Sequence, residues 1–155
     1  MRPITFMFLV CSLFLAGCSS SFNSIKPIYP EIANPLFPNT IDNLQPTFRW
    51  EPLQESNITY DFILYEGLNS FKYNIDASTG NIGKEVYYRE NFAEPQCKLD
   101  QPLKAKTEYY WSVRIRRGQS ISEWSLYDYV YFTGLGIGQL HNRNFVFRTP
   151  NETGN

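Results

Sequence analysis

Apolar and polar residues alternate in several short segments between residues 46 and 148 of the chain. The longest segment, residues 107–116, has a large apolar residue at every second position from Tyr109 to Ile115. Because successive side chains of a strand point to opposite faces, this pattern predicts a strand with one buried face. The same reasoning predicts strands over residues 46–51, 59–66, 86–89, 96–99, 107–116, 127–132 and 145–148.

No segment has the apolar spacing of an amphipathic helix with capping residues at its ends. Short strands at near-regular spacing, without helices between them, predict an all-β, antiparallel β-sandwich. The composition agrees, since the 155 residues include 12 Phe, 11 Tyr, 3 Trp and 10 Pro but only 2 Met, which is typical of a β-rich single domain. In residues 107–116 the polar face, expected to lie in water, carries Glu108, Ser112, Arg114 and Arg116.

Charge and reactive side chains exclude several functional classes. With 14 Lys and Arg against 15 Asp and Glu, the chain has no electrostatic basis for binding nucleic acid. One histidine, His141, and three cysteines offer few metal ligands or nucleophiles, so neither a metal nor a cofactor is expected. No catalytic set converges, and an enzyme is therefore not expected. The acids considered as catalytic pairs, all expected on solvated faces, are Glu51, Asp61, Glu66 and Glu123.

The first 17 residues have the features of a secretory leader. Arg2 precedes an apolar run that reaches Leu15, long enough for the core of a signal peptide and too short for a membrane anchor. The run ends in small residues followed by a cysteine, Leu15-Ala16-Gly17-Cys18. Small residues before a cleavage site fit the cleft of a signal peptidase.

This tetrapeptide resembles the lipobox of bacterial lipoproteins. The resemblance implies that residues 1–17 are a signal peptide and that Cys18 carries covalent diacylglycerol and an N-acyl lipid such as palmitate. Each buried lipid methylene contributes roughly 0.8 kcal/mol, so two or three chains anchor a protein stably. Ser19, rather than Asp, follows the cysteine, and resemblance to the sorting pattern of Gram-negative lipoproteins favours the outer membrane over the inner one. The alternatives are a secretory signal before a chance cysteine, and an uncleaved anchor.

Cleavage and acylation would leave one free thiol in the mature chain. Cys11 departs with the leader and Cys18 carries lipid, so Cys97 has no partner for an intrachain disulfide. Cys97 and Leu99 share one face of a predicted strand, which favours a buried structural thiol. An intermolecular disulfide is the alternative.

Residues 18–39 are predicted to be a lipidated tether rich in serine and proline. Proline fixes φ and removes a hydrogen-bond donor, so its four occurrences here favour an extended spacer. Apolar residues among the prolines predict that part of the segment adds a first edge strand to the domain. The domain is expected over residues 40–148, and a polar tail over residues 149–155.

Residues 103–109, with the sequence LKAKTEY, resemble the L-x-P-G-T-x-Y stretch of fibronectin type III domains, with Ala-Lys in place of Pro-Gly. The resemblance covers about residues 40–148 and implies an immunoglobulin-like, fibronectin type III-like sandwich. It also implies that Tyr109 forms a tyrosine corner, in which the hydroxyl bonds to upstream backbone. Trp50 and Trp111 are then expected in the core.

Residues 121–125, with the sequence ISEWS, resemble the W-S-x-W-S signature of cytokine-receptor domains, with Ile in place of the first Trp. In that signature, arginines of a neighbouring strand stack on tryptophan through cation–π contacts. The resemblance therefore implies that Arg114 and Arg116 stack on Trp124. The implied role is structural.

Residues 126–132, with the sequence LYDYVYF, place Tyr127, Tyr129 and Tyr131 on one face of a strand. Exposed, the three rings would form a binding face for carbohydrate or protein; alternatively, they line the core between the sheets. The following glycine run, residues 134–138, is predicted to be a hairpin turn and lacks the features of a phosphate loop. The long connection over residues 68–85 is either a functional loop or an irregular strand that covers a sheet edge.

These features lead us to expect an outer-membrane-anchored lipoprotein whose β-sandwich acts as a protein-interaction or structural module of the cell envelope. Its expected partners are the membrane, through the lipid on Cys18, and an envelope protein. A carbohydrate-binding lipoprotein that uses the tyrosine face is the alternative hypothesis.

Overall fold

The structure is a computed structural model that describes residues 19–22, 25–32, 37–68, 82–133 and 136–151. The regular elements in these ranges are all strands, and the ranges contain no helix that is long and apolar enough to cross a bilayer. The leader and Cys18 lie outside them. The strands are β1 (Ser19–Phe22), β2 (Pro27–Tyr29), β3 (Thr47–Trp50), β4 (Ile58–Gly67), β5 (Ile82–Phe92), β6 (Gln96–Lys98), β7 (Glu108–Arg117), β8 (Ser120–Ile121), β9 (Tyr127–Thr133), β10 (Gly136–Arg143) and β11 (Phe145–Arg148).

Two antiparallel sheets form the sandwich. One has the strand order β2-β3-β6, and the other has the order β11-β7-β4-β5, with β8 paired to β7. The alternating apolar faces of β3, β4 and β7 meet between the sheets, as the sequence predicts. Phe48 of β3 lies with its ring centroid 4.7 Å from that of Phe62 in β4 and 5.1 Å from that of Trp111 in β7. The all-β, antiparallel sandwich is therefore confirmed.

A third sheet, with the order β1-β9-β10, extends from the sandwich; we call it the hairpin layer. Ser125 donates its backbone N–H to the carbonyl of Val113 in β7 at 2.8 Å, and Phe145 pairs with Trp111. The chain thus leaves the edge of β7 after Ser125 and returns to a neighbouring position of that edge at Phe145. The predicted turn over residues 134–138 is shorter than expected, because Gly136–Arg143 already forms β10.

The N-terminal segment is docked on the domain through much of its length. β2 pairs with β3, which confirms the predicted edge strand, and the side chain of Ile25 is buried. β1 is an additional strand that the serine run did not predict. At the other end Thr149 is buried and donates its hydroxyl to the carbonyl of Lys104 at 2.7 Å.

The long connection predicted over residues 68–85 is shorter in the structure. β5 begins at Ile82, and it pairs with β4 through three register shifts. The two interpretations of the remaining residues, 69–81, concern positions outside the described residues.

Candidate functional site

The three tyrosines of β9 face the core instead of forming an exposed row. Tyr127 is 1% exposed and Tyr129 is 3% exposed, and Tyr131 packs partly buried against the same cluster. The ring of Tyr127 lies 5.9 Å from that of Phe145, and burial raises the pKa of its hydroxyl. The prediction of an exposed binding face is therefore wrong for Tyr127 and Tyr129, because both rings fill the base of the hairpin layer. The alternative interpretation, that these rings line the core, fits the structure.

The hairpin layer includes β1, the strand that follows Cys18 in the sequence, and connects it to β7. Ser19 pairs with Val130 and Phe22 with Tyr127, so β1 runs antiparallel along β9. The N-terminal end of β1, at Ser19, is therefore the end nearer to the hairpin tip, where Thr133 pairs with Gly136. Alternation predicts no strand for β1, since polar serines fill three of its four positions.

A buried ion-pair cluster occupies the outer face of the sheet formed by β4, β5 and β7. Asp61 is fully buried, and its two carboxylate oxygens accept hydrogen bonds from the Nε atoms of Arg114 at 2.7 Å and Arg116 at 2.6 Å. Burial alone would raise the pKa of Asp61, but the hydrogen bonds from Arg116 and Arg114 outweigh it and hold the pKa below its usual value. Arg116 also pairs with Glu90. The cluster joins three strands.

The polar face of β4 and β7 was expected to lie in water, and the structure corrects that expectation. Asp61 and Ser112 are 0% and 1% exposed, and Glu108 is 9% exposed. Ser112 donates its hydroxyl to the carbonyl of Ser125 at 2.6 Å, and the carboxylate of Glu108 accepts a hydrogen bond from Arg148. In the register of β4 and β7, Asp61 lies directly opposite Arg114. This register brings the carboxylate and the guanidinium together, and the alternation of apolar and polar residues along one strand does not reveal it.

Trp124 lies at the edge of the ion-pair cluster. The Arg114 guanidinium carbon is 4.5 Å from the centre of the Trp124 ring, so the stacking implied for Arg114 is present. Arg116 instead binds Asp61 and Glu90. Trp124 is also in edge contact with Tyr88 of β5. The tryptophan thus covers one side of the cluster.

The other aromatic residues singled out in the sequence lie in the core. Trp50 is 1% exposed and Trp111 is 0% exposed. The hydroxyl of Tyr109 accepts a hydrogen bond from the backbone N–H of Lys104 at 3.1 Å, which is the contact expected of a tyrosine corner. Cys97 is a buried free thiol, and burial raises its pKa to about 11. This thiol is structural, because it is neither accessible nor ionised at neutral pH.

A groove of about 780 Å³ lies between β5 and β6. Its charged lining residues include Arg89, Glu94, Lys98 and Asp100. Within the part of the chain that the structure describes, no strand pairs with the outer edge of β5 or of β6. The groove therefore combines mixed charge with two open strand edges.

The candidate catalytic acids are held in separate places. Glu51 pairs with Lys26 at 2.9 Å, Glu66 pairs with Lys104 at 2.8 Å, and Glu123 is exposed. His141 lies with Nδ1 3.4 Å from the carboxylate of Asp128, on the exposed side of the hairpin layer. Among the described residues, no group of three or more His, Cys, Asp and Glu side chains could hold a metal ion.

Comparison of the chain with protein-family models, with curated proteins and with solved structures finds no match.

Proposed function

We propose that the chain is a lipoprotein of the cell envelope, anchored in the outer membrane by acyl chains on Cys18, and that its sandwich is a non-catalytic interaction or structural module. The observation that carries the anchor is the lipobox-like sequence Leu15-Ala16-Gly17-Cys18, and the pairing of β1 with β9 supports a body held close to that anchor. β1 begins at Ser19, the residue after the lipobox cysteine. An acylated Cys18 would therefore be joined directly to the folded body.

Docking continues beyond β1 and supports a body held close to the membrane. Ile25 is buried, and its backbone N–H is within 3.3 Å of the Ser125 hydroxyl oxygen. β2 begins only two residues later, at Pro27. A long flexible linker would let the body diffuse far from its anchor, whereas this arrangement gives the body a short attachment.

The open edges of β5 and β6 support a protein partner. Unpaired strand edges can pair with an extended segment of another protein. Alternating charges along the groove, with Arg89 and Lys98 beside Glu94 and Asp100, would select a segment of complementary charge.

Replacement of the two cysteines of the predicted mature chain tests the anchor. Cys18→Ala is expected to move the protein from the membrane fraction to the soluble fraction, or to stop its processing. Cys97→Ala, which removes a buried thiol, is the matched control and is expected to leave the protein in the membrane fraction. The intact mass of the purified protein should show a chain that starts at Cys18 and carries acyl groups. A bare Cys18 or a retained leader would contradict the proposal.

Photo-crosslinking tests the interaction module. A photoreactive residue at Lys98, inside the groove, is expected to capture one envelope protein reproducibly in intact cells. The same residue at Phe37, which is exposed outside the groove, is the control. Identical products at both positions would contradict the assignment of the groove.

A further inference from the structure

The tip of the hairpin layer lies close to Ser19, the residue that follows the proposed lipid-anchor residue in the sequence. Val130, the partner of Ser19, is three residues from Thr133 at the end of β9. At about 3.3 Å per residue along a strand, Ser19 is thus roughly 10 Å from the hairpin tip.

The charge distribution along the hairpin changes from its base to its tip. From Tyr129 to Leu140 the sequence contains no Asp, Glu, Lys, Arg or His. Charged and titratable side chains begin again at the base, with Asp128, His141 and Arg143. By contrast, the turn between β7 and β8 follows directly on Arg116 and Arg117. Contact with the apolar part of a bilayer would thus require no charge of the tip to be desolvated.

The tip also presents an exposed apolar side chain. Ile137 is 72% exposed, the largest value among the large hydrophobic residues in the described part of the chain. Ile137 pairs with Phe132, whereas the next residue, Gly138, pairs with Tyr131, which packs against the core. Because neighbouring residues of a strand point to opposite faces, Ile137 points away from the core. The sandwich therefore leaves this side chain available to another apolar surface.

We infer that Ile137, near the start of β10, inserts into the surface of the lipid bilayer that holds the acyl chains of Cys18. This inference rests on the proposed function, because the acyl chains bring the tip to the membrane. An apolar residue at the interface adds buried area to a lipid anchor. The tip and the acyl chains together would give the body two points of attachment and so restrict its rotation on the membrane.

Thiol accessibility provides a direct test. The acylated protein would be reconstituted into vesicles of phosphatidylethanolamine and phosphatidylglycerol in a Cys97→Ala background, with Ile137→Cys as the single free thiol. Ile121→Cys, at an isoleucine that is 44% exposed on β8, is the matched control. A membrane-impermeant maleimide should modify position 137 at least fivefold more slowly in vesicles than in an unacylated Cys18→Ser chain produced without residues 1–17, which also removes Cys11. Position 121 should change by less than twofold.

The outcomes separate the tip contact from the anchor. An acylated, vesicle-bound protein with equal protection at positions 137 and 121 would overturn the tip contact and leave the anchor standing. A native mass without acyl groups would overturn both. If the unacylated chain also protects position 137 when it is concentrated without vesicles, the tip binds a second copy of the chain, and the bilayer contact is overturned. Protection that requires lipid and is independent of protein density supports the inference.

Discussion

Phe48 crosses the sandwich to reach Phe62 and Trp111 of the opposite sheet, whereas the hairpin layer joins the core through the base of its strands. Tyr127, Tyr129 and Leu140 of that layer are buried, but Ile137 near its tip is mostly exposed. Buried apolar contacts set the free energy of local opening. The sandwich therefore carries most of the stability of the fold, which leaves the outer part of the hairpin layer available for contacts with other molecules.

Ion pairs also differ between the two regions, since the sandwich contains a pair with a buried carboxylate and the pair in the hairpin layer is exposed. On the outer face of its larger sheet, the buried carboxylate of Asp61 binds two arginines. In the hairpin layer, the pair formed by His141 and Asp128 is longer, at 3.4 Å, and both side chains are largely exposed. Exposed pairs contribute little because water and salt screen them.

Trp111→Ala is the most severe test of the difference. Trp111 is fully buried, with ring contacts to Phe48 and Phe145 at 5.1 and 5.0 Å, and its loss should lower the free energy of unfolding by about 3–5 kcal/mol. Urea denaturation of the purified protein measures the change. Trp124→Ala is the matched control, since it removes a partly exposed tryptophan stacked on Arg114, and should cost about 1 kcal/mol. Equal losses of unfolding free energy in the two variants would contradict the conclusion that the buried core contributes most of the stability.

Asp61→Asn should have the next largest effect, because it leaves two arginines without their carboxylate. We expect a loss of about 2–3 kcal/mol, below the cost of breaking a fully enclosed pair, since the arginine side chains are 23% and 20% exposed. Glu55→Gln, which alters an exposed pair with Arg117, is the control and should leave the free energy of unfolding nearly unchanged.

The pH dependence of the same variant gives an independent check. The pKa of Asp61 is lower in the folded chain than its usual value, so its contribution is complete above about pH 4 and is lost as the pH falls through the folded pKa. The difference in stability between the wild type and Asp61→Asn should therefore be constant near neutral pH and should narrow in acid. A difference that is independent of pH would contradict an ionised Asp61.

The sequence predicted the sandwich better than the hairpin layer, for a physical reason. Strands β3, β4 and β7 have one core face, so their apolar residues alternate and can be recognised locally. β10 begins Gly-Ile-Gly and β1 is Ser-Ser-Ser-Phe, and neither has such a pattern. Their strand conformation comes from backbone pairing with β9, a long-range contact that local patterns do not contain.

The polar sites show the same limit. Alternation correctly placed Asp61 opposite the core face, but it did not predict burial. The carboxylate is covered because Arg114 and Arg116, about fifty residues later in the chain, lie beside it across the β4–β7 pairing. The Tyr109 contact was predicted from the resemblance of residues 103–109 to a tyrosine corner, a short stretch that holds both Tyr109 and its partner Lys104.

Tyr109→Phe tests that local contact within the sandwich. It removes the hydroxyl that accepts the hydrogen bond from Lys104 but keeps the ring that stacks on Phe147 at 5.7 Å. The expected loss is about 1 kcal/mol, the usual net value of one hydrogen bond. Urea denaturation should give a lower midpoint with an unchanged slope. An unchanged midpoint would mean that the hydroxyl contributes nothing to the connection before β7.

Gly138→Ala should change global stability least and tests whether the hairpin layer opens by itself. A Cβ atom at position 138 would lie 2.2 Å from Cζ of Tyr131, so the ring must move away from β10. Because Tyr131 lies at the margin of the core cluster, we expect the free energy of unfolding to fall by less than about 1 kcal/mol. Backbone amides of β9 and β10 should exchange hydrogen several-fold faster, while those of β4 and β7 stay unchanged. Gly118→Ala is the control for backbone strain outside the hairpin layer, because this turn glycine has a φ of +59° that disfavours alanine; it should leave local exchange in β9 and β10 unaffected. If Gly138→Ala instead accelerated exchange equally in all four strands, the hairpin layer and the sandwich would form one cooperative unit, and the proposed separation between a stabilising body and an accessible tip would fail.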